Sequence, residues 1–186
     1  MIIRLSDCPS QPWKNGLGST REIAVQPSGA GSDDFLWRVS IAEVDSAAPF
    51  SRFPGIDRQI ALLDGNGFTM TLDDHRVHPL TTPFAPFAFA GEAKVAVTLA
   101  DGPTRDFNLM VRREHAHGEI LVWQGPGAHW PDPSTVLIYC ACGVIDTAEG
   151  TLQAGDAWRI SSANPVKLQL HHGALALVVR IEPYAS

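Results

Sequence analysis

Apolar residues along this chain recur in short runs, either alternating with polar ones or continuous, and turn-forming residues separate the runs. Residues 35–44, 59–63, 68–72, 94–99, 106–111, 119–123, 136–142, 157–160, 166–170 and 174–181 are the clearest. A period of two sends successive side chains to opposite faces of a strand, and the chain's 14 Pro and 16 Gly supply the intervening turns. No stretch long enough for a regular helix carries the 3.6-residue period. The pattern predicts an all-β protein, a sandwich or a barrel.

Two stretches echo each other. Residues 60–72, Ile-Ala-Leu-Leu-Asp-Gly-Asn-Gly-Phe-Thr-Met-Thr-Leu, lead through a turn to His78-Pro-Leu. Residues 137–145, Leu-Ile-Tyr-Cys-Ala-Cys-Gly-Val-Ile, lead to Gly150-Thr-Leu-Gln-Ala-Gly-Asp-Ala-Trp-Arg-Ile. Both read as strand, Gly turn, strand, turn, short strand. The phrase Leu152-x-x-Gly155-Asp156-Ala157 resembles the Gly-Asp turn of cupin barrels. That resemblance implies a cupin-like double-stranded β-helix (jelly-roll) barrel, duplicated as a bicupin. Residues 1–124 would form the N-terminal barrel and residues 125–186 the C-terminal half packed on it, with strands exchanged between the halves. The break falls at residues 125–133, Gly-Pro-Gly-Ala-His-Trp-Pro-Asp-Pro, which have loop composition.

Charge narrows the partners. The 186 residues carry a net charge of -6 with no Lys/Arg cluster, which argues against a nucleic-acid partner. The N-terminus lacks the basic and apolar regions of a signal peptide, and no apolar run approaches a membrane span. Three cysteines form no disulfide framework, so the expected setting is the cytoplasm, with no membrane partner.

Candidate chemistry is sparse. His115-Ala-His117-Gly-Glu119 resembles the His-x-His…Glu set of metal cupins, but its spacing to Glu119 is too short and the stretch reads as a solvated loop. His171-His172 and the pair His75 and His78 read as surface residues. Cys140 and Cys142 lack the further ligands of a structural zinc site. No metal and no cofactor is expected. The arginines carry more information, because Arg38, Arg58 and Arg112 sit within or beside apolar strands. A guanidinium directed into a barrel must be paired, and its geometry suits a carboxylate. Internal pairing with Asp57, Asp106 or Glu22 is the competing reading. Residues 13–23, Trp-Lys-Asn-Gly-Leu-Gly-Ser-Thr-Arg-Glu-Ile, add hydrogen-bond donors and glycines that allow close backbone approach.

Three blocks together resemble the HutD/Ves family. They are Trp13-Lys-Asn-Gly-x-Gly-Ser-Thr-Arg-Glu-Ile23, then Trp37-Arg-Val-Ser-Ile-Ala-Glu43 with Pro49-Phe-Ser-x-Phe-Pro-Gly-Ile-Asp-Arg58, and Asp106-Phe-Asn-Leu-Met-Val-Arg-Arg113. Leu17 departs from the family's usual Gly. The resemblance implies a cupin-like bicupin without the usual metal ligands and carries no established catalytic residue. Several members are encoded with bacterial histidine-utilisation enzymes, which implies control of that pathway through binding of urocanate or a formylated glutamate. Others are stress- or cold-associated.

Lys14, Asn15, Thr20, Arg21, Arg38, Ser51, Phe53, Asp57, Arg58, Asn108 and Arg112 match signature positions, and with Trp13 they form the expected ligand site. Arg58 and Arg38 would grip a carboxylate, while Asn15 and Asn108 would hydrogen-bond a second polar group. Phe53 or Trp13 would cover the apolar part, with residues 13–23 as wall or lid. The expected function is therefore metal-independent binding of a small anionic metabolite, and the alternative is a cupin-type isomerase, hydrolase or oxygenase. A homodimer paired through sheet edges is a candidate assembly.

Overall fold

The computed structural model describes residues 1–13, 15–31, 34–47, 49–161 and 166–184. Its regular structure is strand throughout, apart from one 3-10 turn at Leu5–Asp7. No helix among the described residues is long and apolar enough to cross a membrane. Each of the ten runs with alternating or continuous apolar character overlaps a strand, and Phe68–Leu72 matches its run residue for residue.

Two compact units divide the chain. One comprises Pro9–His117; the other comprises Met1–Cys8 with Gly118–Ser186. The division falls at His117/Gly118, two residues into the strand Ala116–Gln124, whereas the expected break lies after residue 124; that strand pairs within the five-stranded sheet beside Leu175–Pro183. The first residues join the C-terminal unit, where Ile2 and Ile3 pair with Trp158 and Ala157.

In the Pro9–His117 unit an antiparallel six-stranded sheet runs in the order Ser10–Pro12, Gly18–Gln26, Trp37–Val44, Thr104–Arg112, Ile56–Asp64, Phe87–Ala90. A three-stranded sheet of Arg76–Leu80, Phe68–Leu72 and Val95–Leu99 packs on it. Ala42, Val44, Ile60 and Leu62 from the first sheet meet Phe68, Met70, Leu72, Val95 and Val97 from the second. Each of these strands alternates, as the period of two requires. The opposite face of the long sheet is buried as well, at Val39, Ile41, Phe107 and Leu109. Continuous apolar runs in the sequence reflect strands buried on both faces.

Residues 13–23 need a correction. Only their first part is a loop, since Gly18–Gln26 is a full strand of the six-stranded sheet, between Ser10–Pro12 and Trp37–Val44. Its polar sequence hid a strand because four of its first five residues are half-buried rather than core.

The other unit joins a five-stranded sheet to a four-stranded one around Ile138, Cys140, Ile145, Leu152, Trp158, Leu170 and Val178. Burial pushes the Cys140 thiol up to about 12, as suits a small apolar residue rather than a nucleophile. Of the tryptophans outside the signature blocks, Trp158 is core, Trp123 packs against that core and stacks on His129, and Trp130 is exposed.

Phe68 is fully buried and meets Phe50 edge-on at 5.8 Å between ring centroids. Phe68→Ala should cost about 3–5 kcal/mol in urea unfolding, the range for deleting a buried aromatic ring. A loss below about 1 kcal/mol would mean that the two sheets do not close on this ring.

Candidate functional site

Strand register builds the site. Arg38, Met110 and Arg58 lie side by side across three neighbouring strands. Ser40 and Asn108 form the next row on that face, and Ala42 and Asp106 the row beyond. The face that is apolar beneath the three-stranded sheet therefore turns polar towards one end. A cavity of about 530 Å³ opens there, within the usual range for small-molecule sites.

Arg58 dominates this cavity. Its guanidinium lies 4.8 Å from the ring centroid of Phe89, 5.4 Å from Phe50 and 5.5 Å from Phe53. Only 6% of the residue is exposed. Nη2 donates to Asn108 Oδ1 at 3.1 Å, while Nε has no hydrogen-bond partner among the described residues. Burial lowers its pKa to about 10; Asp106 opposes that shift and Arg38 adds to it. The rings stabilise the cation but cannot accept its N–H groups as an oxygen would.

Asp106 is the nearby acid. It is fully buried; Oδ1 accepts a short hydrogen bond from Asn108 Nδ2, and Oδ2 has no partner among the described residues. Burial pushes its pKa up to about 7, against the pull of Asn108 and Arg58. Asn108 thus stands between the two, accepting from the arginine and donating to the acid. Arg38 is in a different position, since its Nε donates to Glu22 Oε2 at 2.8 Å. Glu22 reaches it from Gly18–Gln26, whose pairing with Trp37–Val44 shifts register between Glu22 and Ala24.

The loop after Ser10–Pro12 makes one wall. Trp13 Nε1 donates to Thr20 Oγ1 at 2.8 Å, and Asn15 Oδ1 accepts from Leu17 N at 3.0 Å. The left-handed turn falls on Gly16, at φ +70°, so Leu17 in place of the family's usual Gly adds no strain. Gly18 is constrained instead, since a Cβ there would stand 2.4 Å from Glu43 O and 2.9 Å from the Trp13 ring.

Of the expected ligand-site residues, Trp13, Asn15, Thr20, Arg38, Ser51, Phe53, Arg58 and Asn108 line the cavity. Arg21, Asp57 and Arg112 do not. Arg21 pairs with Glu43 at 3.6 Å, Asp57 accepts from Arg113 Nε at 2.6 Å, and Arg112 Nε donates to the Phe35 carbonyl at 3.1 Å. Lys14 lies outside the described residues. Internal pairing, the competing reading, holds for Arg38 through Glu22.

Sequence reasoning missed Phe50, Ser40, Met110 and Asp106 as lining residues. Counting in twos from Asn108 finds Asp106, and counting in twos from Arg38 finds Ser40. His115 and His117 are exposed, with His115 3.3 Å from Glu114. No three His, Cys, Asp or Glu among the described residues are grouped to hold a metal ion.

Raising the pKa of Asp106 ties stability to pH. The folded state holds this proton more tightly than the unfolded chain does, so stability falls as pH rises from about 4 to about 7 and then levels off. Asp106→Asn should therefore unfold at a higher urea concentration than wild type at pH ~8, with the gap narrowing towards pH ~4.5. The opposite ordering at pH ~8 would mean that Arg58 holds Asp106 ionised.

Comparison with known proteins agrees with the signature blocks. A model of the HutD family matches residues 5–178. A 21.2 kDa Pseudomonas putida protein encoded in the hutC 3′ region is 37% identical over 147 residues, covering 79% of this chain and 76% of that protein. The structure of HutD from Pseudomonas fluorescens SBW25 in a formate condition superposes with a TM-score of 0.86 at 29% identity, over 100% of this chain and 99% of that one. Oxalate decarboxylase from Lactobacillus farciminis, in a formate complex, reaches a TM-score of 0.70 at 11% identity, over 100% and 87% of the two chains. That likeness shows a shared cupin-like fold alone.

Proposed function

Because this chain belongs to the HutD family, and because its cavity holds a buried guanidinium with an unsatisfied donor, we propose that it binds a small carboxylate metabolite. The observation that carries this reading is Arg58. A cation shielded from water needs an anion or several acceptors. Here one amide oxygen and three aromatic rings do that work, while the nearest carboxyl has its pKa raised towards neutrality. A ligand carboxylate at Arg58 would complete the set, with Arg38, Ser40 and Asn108 beside it and Phe50, Phe53 and Trp13 around its apolar part.

Urocanate and N-formylglutamate are the candidates. Each has a carboxylate and a second hydrogen-bonding group, which fits a polar floor with donors at the Asn15 and Thr20 wall. The hut context of the Pseudomonas putida relative favours such ligands, as does the formate condition of the Pseudomonas fluorescens HutD structure. Binding needs no metal in this reading, and the role is regulatory, in bacterial histidine utilisation or a stress response. We read the two units as a duplicated barrel, since each joins a larger sheet to a smaller one around its own apolar core. Their interiors have diverged: polar rows open one, while apolar side chains fill the other.

The rival reading, a cupin-type enzyme, draws on Asp106, because a carboxyl titrating near neutral pH is a common acid–base group. Its complete burial weighs against direct contact with a substrate.

Thermal-shift measurements with urocanate, histidine, N-formylglutamate, glutamate and formate test the proposal. A ligand at a hundredfold excess over its Kd stabilises the fold by about 2.7 kcal/mol, a rise of several degrees in Tm. Arg58→Gln should weaken that ligand at least ~30-fold, since an unpaired buried charge partner costs about 2–5 kcal/mol. No shift with any of the five at millimolar concentration would remove the carboxylate reading, and product formation during incubation would favour the enzyme.

A further inference from the structure

We propose that a bound carboxylate and Asp106 compete as counter-ions for Arg58, so that ligand binding draws a proton from solvent onto Asp106. This rests on the carboxylate reading of the cavity and adds a proton to the binding equilibrium.

The geometry sets up the competition. One buried guanidinium faces one buried carboxyl, with Asn108 hydrogen-bonded to both. Each end keeps an unsatisfied atom, Nε on the arginine and Oδ2 on the acid. The described residues around the pair offer no spare cation for a second negative charge. On Trp37–Val44 the facing charge is Arg38, already paired with Glu22 from Gly18–Gln26. Ile56–Asp64 contributes Arg58 itself, and Phe87–Ala90 contributes only Phe and Ala. Segment 49–53 brings Arg52, which is exposed and donates to the Glu92 carbonyl. Among the described residues, then, a ligand anion placed at Arg58 leaves Asp106 as a like charge without a counter-ion of its own.

Two like charges in a water-poor site do not both stay ionised at little cost. The ligand is held by the cation, so Asp106 takes the proton. Its bond from Asn108 survives, because a protonated carboxyl keeps an accepting oxygen, while the new O–H gives Oδ2 a donor. Its pKa of about 7 before binding means that this exchange occurs near neutral pH. By linkage, the proton favours ligand binding as much as the ligand favours protonation. The pocket would therefore hold its ligand more loosely as the surrounding pH rises.

Formate and N-formylglutamate are suitable probes, since neither titrates near neutral pH. The expected Kd is flat below pH ~6 and rises towards tenfold per pH unit above pH ~7. Calorimetry at pH ~8 in two buffers of different ionisation enthalpy should show an uptake approaching one proton per ligand. Asp106→Asn should bind with the low-pH affinity throughout and take up no proton. Binding with no uptake and a flat profile in wild type overturns the proton coupling and leaves the pocket reading intact. A profile that survives in Asp106→Asn assigns the proton to another group and also overturns it. If that variant does not fold, the two-buffer measurement on wild type decides alone. Failure of these two, and of urocanate, histidine and glutamate, to bind at any pH overturns the pocket reading itself.

Discussion

Burial of the Arg58 guanidinium is the constraint on which the rest of the site depends. A charge shielded from water is costly, and three aromatic rings offset only part of that cost. Phe89 is its direct cross-strand neighbour, whereas Phe50 and Phe53 arrive on a separate segment. That segment is fixed by backbone bonds, from Phe50 N to Val95 O at 3.0 Å and from Phe53 N to Gly91 O at 2.7 Å. The cage around the cation is thus assembled from two parts of the chain, residues 50–53 and Phe89, on either side of Arg58 in sequence. The sheet places Phe89, and the two backbone bonds tie the segment of Phe50 and Phe53 to Val95 and Gly91.

The two cavity arginines have different jobs for the same reason. Arg38 sits where a register shift brings Glu22 alongside, so its charge is already balanced. Arg58 sits on the far side of Met110, beyond that carboxylate, with an acid that burial tends to neutralise. Asn108 mediates between Arg58 and Asp106, and its amide orientation is fixed because each end has a definite partner. A second ionised carboxylate close by would quench the open donor, and an apolar residue at position 108 would leave both neighbours unbonded.

Much of the fold could be read directly, because strands buried on one or both faces announce themselves through alternation or continuous apolar runs. Gly18–Gln26 could not, since its outer half is polar and its place in the sheet is decided by pairing with Trp37–Val44. Residues 125–133 are a similar case: their Pro and Gly give them linker composition, yet Gly127–His129 is a strand there. For the site, Arg38, Arg58 and Asn108 were legible as polar residues inside apolar strands. Asp57 looked equally suitable but points the other way, to Arg113, and only alternation along Ile56–Asp64 separates it from Arg58. Asp106 was legible as a possible salt-bridge partner; its raised pKa follows from burial, which a sequence does not display.

Charge counting in the cavity also limits what can enter. With Arg38 balanced by Glu22, the uncompensated charge among the described cavity residues is at most the single cation of Arg58, and less while Asp106 is ionised. One carboxylate satisfies it. A second negative charge at the same depth would meet Asn108, Ser40 and Met110, none of which carries a positive charge. A dicarboxylate would therefore have to place its other group towards the mouth, by Asn15 and Thr20, where hydroxyl and amide groups and solvent share the load. A doubly charged phosphate has no comparable way to divide its charge, since both negative charges sit on one atom cluster. The same feature that makes Arg58 costly to bury thus favours ligands whose charges are single or well separated.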